Sequence, residues 1–139
     1  MSTQIEPYLF FGGRCDEAVE FYRQAVGAEV LMVKRFSENP QPMPPGAIPP
    51  DWDSKVMHAS IRIGSSVVMA SDGCGPGTGF SGFSLSLSVS TEAEVDRLHA
   101  ALAQGGKVTM PPTQTFWSPR FGMLEDKFGV GWMITVAIA

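Results

Sequence analysis

The sequence predicts an α+β fold built from two copies of one β-α-β-β-β unit. Three observations lead to this prediction: an order of elements that occurs twice, helix ends that match between the copies, and strict alternation in FSLSLSVS, residues 83–90. The matching helix ends read VGAEV at residues 26–30 and QGGKV at residues 104–108. Self-similarity at a fixed period, here about 60 residues, is typical of a duplicated structural unit.

The first copy contains one helix and four strands. Residues 14–27 predict the helix, because apolar side chains recur at helical spacing, Asp16 and Glu17 suit the dipole of the first turn, and Gly27 suits the C-terminal end. Period-two alternation and apolar content assign the strands to residues 4–11, 28–36, 55–64 and 65–72. The last two are expected to form a hairpin that turns near Gly64.

The second copy repeats this order. Residues 91–104 predict its helix, with Thr91 and Glu94 in a capping-box pattern and Gly105 at the end. The strands are assigned to residues 83–90, 107–110, 120–126 and 129–138. The chain is therefore interpreted as a single domain, residues 1–139, made of unit 1–72, a glycine-rich linker 73–82 and unit 83–139.

Two loops interrupt the repeat. Residues 37–54 hold six of the eleven prolines, which cannot donate to a sheet, so this segment is either a lid over a pocket or a surface loop. The linker at residues 73–82 has five glycines. A phosphate-binding loop needs a helix after its glycines, whereas a strand follows here, so the linker interpretation is preferred.

Composition and charge exclude several classes of function. A net charge of −4 and a pI near 5.0 argue against a nucleic-acid partner, which needs a basic surface. The sequence contains no apolar run of about 18 residues, so no membrane span is predicted. The first residues do not resemble a secretory signal. Cys15 and Cys74 are expected to be reduced thiols, and the protein to be cytoplasmic.

Four stretches in this order resemble the vicinal oxygen chelate superfamily, which includes glyoxalase I, bleomycin-resistance proteins and extradiol dioxygenases. They are PYLFFGGRCDEAVEFYRQAVGAEV, KVMHASIRIGSSVVMASD, FSLSLSVS and DKFGVGWMI, and together they cover almost the whole chain. The closer resemblance is to the PhnB-like subgroup. It implies that each unit curls its sheet into a half-barrel with the helix outside, and that a homodimer completes the ligand cavities.

Strand parity then predicts which side chains face the cavity. The inward set consists of Glu6, Tyr8, Phe10, His58, Ser60, Arg62, Ser84, Ser86, Ser88, Met133 and Thr135. The set expected to pack on the helices consists of Ile5, Leu9, Phe11, Met57, Ala59, Ile61, Ile63, Phe83, Leu85, Leu87, Val89, Trp132, Ile134 and Val136. A slip of one residue in a strand would exchange its two faces.

The resemblance also implies four metal-ligand positions, which fall on Glu6, Met69, Ser84 and Met133. Only Glu6 among them suits a hard or borderline divalent cation. His58, on the same face, is a second weak candidate ligand. We therefore expect no cofactor and disfavour a divalent metal.

Several candidate residues have a structural interpretation beside the functional one. Glu6 would either contact a ligand or pair with Arg62, and His58 would either act in the site or be a polar wall residue. Trp52 and Trp117 would either stack on a planar ligand or fill the junction between loop and sheet. Cys15 is expected to be an inert thiol. His99 is expected at the surface of its helix or at its boundary.

The predicted function is that of a metal-free small-molecule binding protein of the PhnB-like or bleomycin-resistance type. Its ligand contacts are assigned to Tyr8, Trp52, Ser60, Arg62, Ser84, Ser86, Trp117 and Thr135. The alternative is a superfamily enzyme, of the isomerase, lyase or dioxygenase type, that uses Glu6 and His58 with or without a divalent metal. The label 3-demethylubiquinone-9 3-methyltransferase, attached to the subgroup, has no support, because no glycine-rich strand-to-helix turn is present.

Overall fold

The computed structural model describes residues 3–41, 43–77 and 79–137. The chain divides into two compact units, Met1–Thr78 and Gly79–Ala139. Each unit is a four-stranded mixed sheet with one helix packed on one face, and the order β-α-β-β-β occurs in both. The predicted α+β fold of two repeated units is confirmed.

The first unit begins with a strand that is shorter than predicted. Its elements are β1 (Tyr8–Phe10), α1 (Cys15–Val26), β2 (Glu29–Arg35), a short 3₁₀ turn (Phe36–Glu38), β3 (Val56–Ile63) and β4 (Ser66–Ser71). The strands lie in the order β1-β4-β3-β2, with β1 parallel to β4 and the other pairs antiparallel. Only three residues of the predicted strand 4–11 form the ladder, since Pro7 lacks an N–H.

The second unit repeats this topology. Its elements are β5 (Leu85–Val89), α2 (Glu92–Ala103), β6 (Lys107–Thr113), β7 (Phe121–Glu125) and β8 (Gly131–Val136). The strands lie in the order β5-β8-β7-β6, with β5 parallel to β8. The Thr91 hydroxyl accepts the Glu94 N–H at 3.2 Å, so the predicted N-cap is present. β6 continues through two prolines beyond the predicted strand.

The core of each unit lies between the helix and one face of its sheet. In the first unit α1 buries Ala18, Tyr22 and Ala25, and the sheet buries Leu9, Ala59, Ile61, Val68 and Ala70. In the second unit α2 buries Val95, Leu98 and Leu102 against Leu124, Trp132 and Ile134. The opposite face of each sheet is not covered by the helix and is called its open face below.

The assignment of side chains to the two sheet faces by strand parity is correct in the middle of the strands and fails at three places. Ile5 lies before β1 and is almost fully exposed, and Phe83 lies before β5 and is exposed, so neither packs on a helix. Met57 is an extra residue in β3, because Arg35 pairs with Val56 whereas the preceding residue of β2 pairs with His58. This bulge ends the simple alternation, and Met57 is only half-buried.

One buried aspartate in each unit organises the loop that follows a strand. Asp72 follows β4, and its carboxylate accepts the N–H groups of Gly13, Cys15 and Val56, each at 2.8 Å. Asp126 follows β7 and accepts two backbone N–H groups together with the Trp132 indole N–H at 2.9 Å. The Asp72 carboxylate therefore joins segments that are distant in sequence, whereas the Asp126 carboxylate closes the turn between β7 and β8.

The proline-rich loop is anchored at both ends in the first unit. Ser37 N–H donates to the Asp53 carbonyl at 2.9 Å, and Phe36 N–H donates to the Lys55 carbonyl at 3.1 Å. Between these ends the described part of the loop encloses a groove of about 480 Å³, lined mainly by prolines and by Phe36, Met43 and Ile48. Its role as a lid stays a prediction.

His99 is buried, and the prediction that it lies at the surface or boundary of its helix is wrong. Its Nε2 atom lies 3.2 Å from the Met110 carbonyl of β6 and 3.0 Å from the Met123 carbonyl of β7. Gly122 makes room for the ring, since a Cβ there would lie 2.7 Å from the imidazole. His99 therefore ties α2 to two strands. Within the described residues, neither helix has the length and apolarity that crossing a membrane requires.

Candidate functional site

The open face of the first unit carries a connected group of aromatic and polar side chains. Tyr8 and Phe10 leave the same side of β1, and their rings stack with centroids 4.7 Å apart and planes inclined by 14°. The Tyr8 hydroxyl lies 2.8 Å from Nδ1 of His58 on β3. We call Tyr8, Phe10 and His58 the aromatic cluster. Tyr8 and Phe10 are exposed and His58 is half-buried, so solvent can reach all three side chains.

The protonation pattern of the cluster follows from ordinary chemistry. Partial burial raises the pKa of Tyr8 above its usual value, so the phenol keeps its proton at neutral pH. The phenol can therefore donate to Nδ1 of His58, and the imidazole proton then lies on Nε2. In that arrangement Nε2–H is a hydrogen-bond donor.

Polar and polarizable side chains surround the aromatic cluster on the same face. Register places Tyr8 beside Met69, Met69 beside Ser60, and Ser60 beside Met32. These side chains form one row across the four strands, because directly opposed residues share a face. Ser60 was predicted to face inward, and it lies in this row between two methionines. The row places one hydroxyl group between apolar, polarizable methionine side chains.

Lys34 extends the same face beside His58. The two residues are opposite each other in the β2–β3 ladder, so their side chains share the open face. Arg35, the next residue, turns to the helix side and holds Asp16 of α1 through two hydrogen bonds of 2.8 and 2.9 Å. Among the described residues Lys34 makes no ion pair. Sequence reasoning missed Lys34, although its alternation with Val33 was visible.

Arg62 and Glu6 are not paired with each other. The Arg62 guanidinium instead forms an ion pair with Glu29 across the β2–β3 ladder, so the predicted Glu6–Arg62 pair is wrong. Glu29 begins β2 directly opposite Arg62, and that proximity decides the pairing. Glu6 is half-buried and precedes Pro7 and the start of β1.

The open face of the second unit is dominated by methionine. Ser86 pairs with Met133, Met133 with Met123, and Met123 with Met110, so the three thioethers and one hydroxyl lie in a row across four strands. Ser88 and Thr135 form part of the next row. The alternation of residues 83–90 is therefore explained within this unit: Leu85, Leu87 and Val89 turn to the helix side, and the serines stay exposed.

Trp117 stands at one end of this second open face. It contacts Phe116 and Phe121 edge-on, with ring centroids 4.7 and 5.3 Å apart, and is 44% exposed. The Thr115 hydroxyl accepts the Ser118 N–H at 3.1 Å and closes the turn that presents Phe116 and Trp117. The Thr135 hydroxyl donates its proton to the buried Ser118 hydroxyl at 2.9 Å, so this proton is already used in a hydrogen bond within the protein.

Trp52 and Ser84 lie away from the centres of the two open faces. Trp52 is only 6% exposed, and its indole N–H donates to the Gly73 carbonyl at 2.8 Å. It thereby fixes the end of the proline-rich loop to the start of the linker. Ser84 precedes β5, and its hydroxyl lies over Gly131, where a Cβ would approach it to 2.8 Å.

The residues at the expected metal positions do not fit a hard divalent cation. Register places Tyr8, not Glu6, beside Met69, and Ser86, not Ser84, beside Met133. A protonated phenol, an alcohol and two thioethers are poor ligands for such ions. Among the described residues no group of three or more His, Cys, Asp or Glu side chains could hold a metal. Nδ1 of His58 is already hydrogen-bonded to the Tyr8 hydroxyl.

Cys15 is buried at the N-terminus of α1, where the neighbouring carboxylate opposes ionisation. Burial first, and then the charge of Asp72, raises the pKa of the thiol to about 12. The thiol is therefore neutral at physiological pH. The helix dipole does not overcome these two effects.

Comparison with known proteins places this geometry in a family. The sequence profile of the Glyoxalase/Bleomycin resistance protein/Dioxygenase superfamily matches residues 4–134. Protein YjdN of Escherichia coli (strain K12) is 39% identical over 140 residues, which cover 95% of this chain and 94% of that protein.

Two solved structures share the fold along almost the whole chain. Protein PA1353 from Pseudomonas aeruginosa has a TM-score of 0.84 and 44% identity over 97% of this chain and 98% of its own. A putative 3-demethylubiquinone-9 3-methyltransferase, PhnB protein, from Bacillus cereus has a TM-score of 0.77 and 30% identity over 97% and 100%. The chain belongs to the glyoxalase/bleomycin resistance protein/dioxygenase superfamily, among its PhnB-like members.

Proposed function

We propose that this protein binds a small planar organic molecule on the open face of its first unit, and that binding needs no divalent metal. The observation that carries the proposal is the aromatic cluster, in which two stacked rings and a hydrogen-bonded imidazole lie together on the sheet face opposite the helix. Small-molecule sites combine apolar and aromatic walls with a few fixed polar groups. This face has both.

The polar groups of the face differ in how free they are to contact a ligand. Arg62 is engaged by Glu29, so its charge is already balanced. His58 keeps Nε2–H as a donor, and Ser60 offers a hydroxyl. The predicted contacts Tyr8 and Ser60, together with the catalytic candidate His58, therefore form the centre of the proposed site. Ser86 and Trp117, on the second unit, remain predicted contacts whose role is separate from this centre.

Native mass spectrometry of gently purified protein tests the proposal. We expect an organic mass retained by the wild-type chain and lost in Phe10→Leu, which removes one ring of the stack. The control Phe116→Leu removes a nearly fully exposed ring that belongs to the other unit. Tight binding of Mn, Fe, Ni or Zn, one ion per chain and abolished by Glu6→Ala, would contradict the metal-free proposal.

An acid–base enzyme is the second candidate, because Tyr8 and His58 are joined by a hydrogen bond of 2.8 Å. Such a pair can donate and accept a proton at one ligand atom. Substrates with vicinal oxygens, such as the hemithioacetal of methylglyoxal and glutathione or a catechol, test this candidate in the presence of chelator. Turnover that falls at least tenfold in both Tyr8→Phe and His58→Gln would favour the enzyme over the binding protein.

Assembly and location belong to the same proposal. We propose a homodimer, supported by the exposure of large apolar side chains such as Ile5, Val108 and Phe116. Sedimentation equilibrium would measure the mass directly. A cytoplasmic location is supported by Cys15 and Cys74, which are both free thiols. Methyl transfer gains no support, because the sheets are small and mixed and carry no glycine-rich donor-binding turn.

A further inference from the structure

We infer that the open face of the first unit prefers an anionic aromatic molecule, namely an aromatic carboxylate or phenolate. The inference rests on the proposed function and adds the charge and shape of the ligand. It depends on three features of this face: the stacked rings of Tyr8 and Phe10, the donor of His58, and the unpaired ammonium of Lys34.

The stacked rings favour a flat ligand. Tyr8 and Phe10 are both exposed, so a ligand ring can extend the stack or contact it edge-on. Each aromatic contact of this kind adds to the energy of burying apolar area, whereas an aliphatic ring adds burial alone. Met69 and Met32 continue the row from Tyr8 and add polarizable sulfur to the floor.

The donors on the same face favour an acceptor with negative charge. Lys34 lies directly opposite His58, so an ammonium group and an imidazole Nε2–H are cross-strand neighbours. Hydrogen bonds to an ionised acceptor are about twice as strong as those between neutral groups. A carboxylate or phenolate whose ring lies on Tyr8 and Phe10 would place its oxygens toward these two donors.

Nearby acidic groups do not cancel this positive site. Glu29 is paired with Arg62, and Asp16 is held by Arg35 on the helix side of the sheet. Glu6 precedes Tyr8 by two residues, which is roughly 7 Å along an extended chain, but Lys34 lies on β2, three strand spacings or roughly 14 Å from β1. Register puts Phe10 in the row of Ser71, and His58 with Lys34 continues that row. The charge on this part of the face is therefore positive, although the whole chain is acidic.

Three probes of one shape test the inference: 2-naphthoate, 2-naphthamide and 2-naphthylmethylammonium. Binding is followed by calorimetry and by chemical shifts of the Tyr8, Phe10 and His58 side chains. We expect 2-naphthoate to bind roughly threefold to fivefold tighter than the amide, the effect of one exposed ion pair, and the cation to bind most weakly. Lys34→Gln should abolish the preference for the anion. Lys107→Gln, the same change in the second unit, should keep it.

The outcomes separate the inference from the proposed function. If all three probes shift the cluster with equal affinity, or the cation binds most tightly, the charge preference is overturned and small-molecule binding stands. If cyclohexanecarboxylate binds as tightly as 2-naphthoate, the role of the stacked rings is overturned. If no probe shifts the Tyr8, Phe10 and His58 signals at millimolar concentration, the inference and the proposed function both fail.

Discussion

Replacing Asp72 by Asn tests whether one buried carboxylate holds the first unit together. One carboxylate oxygen accepts the N–H groups of Gly13 and Cys15, and the other accepts the N–H of Val56. An amide has one oxygen, so its best orientation keeps the first two bonds and turns an NH₂ group toward Val56. A buried N–H then loses its acceptor.

The cost follows from these contacts. Hydrogen bonds to a charged group contribute about 1.5–3 kcal/mol, and an unsatisfied buried donor costs about 1–3 kcal/mol. Because the two effects overlap at Val56, we expect Asp72→Asn to lower the free energy of unfolding by about 2–4 kcal/mol. Urea unfolding followed by circular dichroism measures this loss. Hydrogen exchange should show a larger loss of protection at Val56 than at Cys15.

Asp51→Asn is the matched control, because it makes the same chemical change at an exposed carboxylate. We expect its effect to stay within about 0.5 kcal/mol. The reasoning fails if Asp72→Asn is as stable as this control. It also fails if the amides of Gly13, Cys15 and Val56 all keep their wild-type protection.

Three further predictions concern backbone space, thiol reactivity and pH. Gly12→Ala should lower the free energy of unfolding by more than about 3 kcal/mol, because the new Cβ would lie 2.1 Å from a backbone nitrogen. Gly64→Ala has the same φ of +59° but open space around the Cβ, so it should lower that free energy by about 1 kcal/mol. Equal unfolding free energies of the two variants would contradict this. At pH 8, DTNB should modify the exposed thiol of Cys74 and leave Cys15, with its pKa of about 12, unmodified until the protein unfolds; two fast-reacting thiols in folded protein would oppose it. A hydrogen bond from Arg35 lowers the pKa of Asp16. The Arg35–Asp16 ion pair therefore stabilises the fold above about pH 4, and this stabilisation is lost as the pH falls through the lowered pKa of Asp16. Asp16→Asn should therefore cost about 0.2–1 kcal/mol at pH 7, after screening by solvent, and this cost should shrink as the pH falls below about 4; a cost that is independent of pH would refute the assignment.

Features that depend on local pattern could be predicted from the sequence. The helix of residues 91–104 has a cap, an apolar stripe and a terminal glycine, and all three signals agree. The strand at residues 85–89 alternates without interruption, so its two faces follow from parity. The order of elements in each unit also follows, because each element carries its own signal.

Features that depend on register and bulges could not be predicted. Arg62 pairs with Glu29 because the β2–β3 ladder brings them together, and a sequence does not show which residues lie opposite each other. The bulge at Met57 shifts parity without a glycine or proline to mark it. His99 is buried because Gly122, on a different strand, leaves space for its ring. Lys34 belongs to the site only through its cross-strand partner.

β2 and β6 are the edge strands at the far side of each sheet from β1 and β5. They give the two units unequal resistance to aggregation. β6 includes Pro111 and Pro112, which remove two backbone N–H donors from this edge strand and make it a poor template for another strand. β2 contains no proline and exposes Val30, Leu31 and Met32 in succession. Intermolecular strand addition therefore has an easier route along β2, where a lysine at position 31 would act as a gatekeeper.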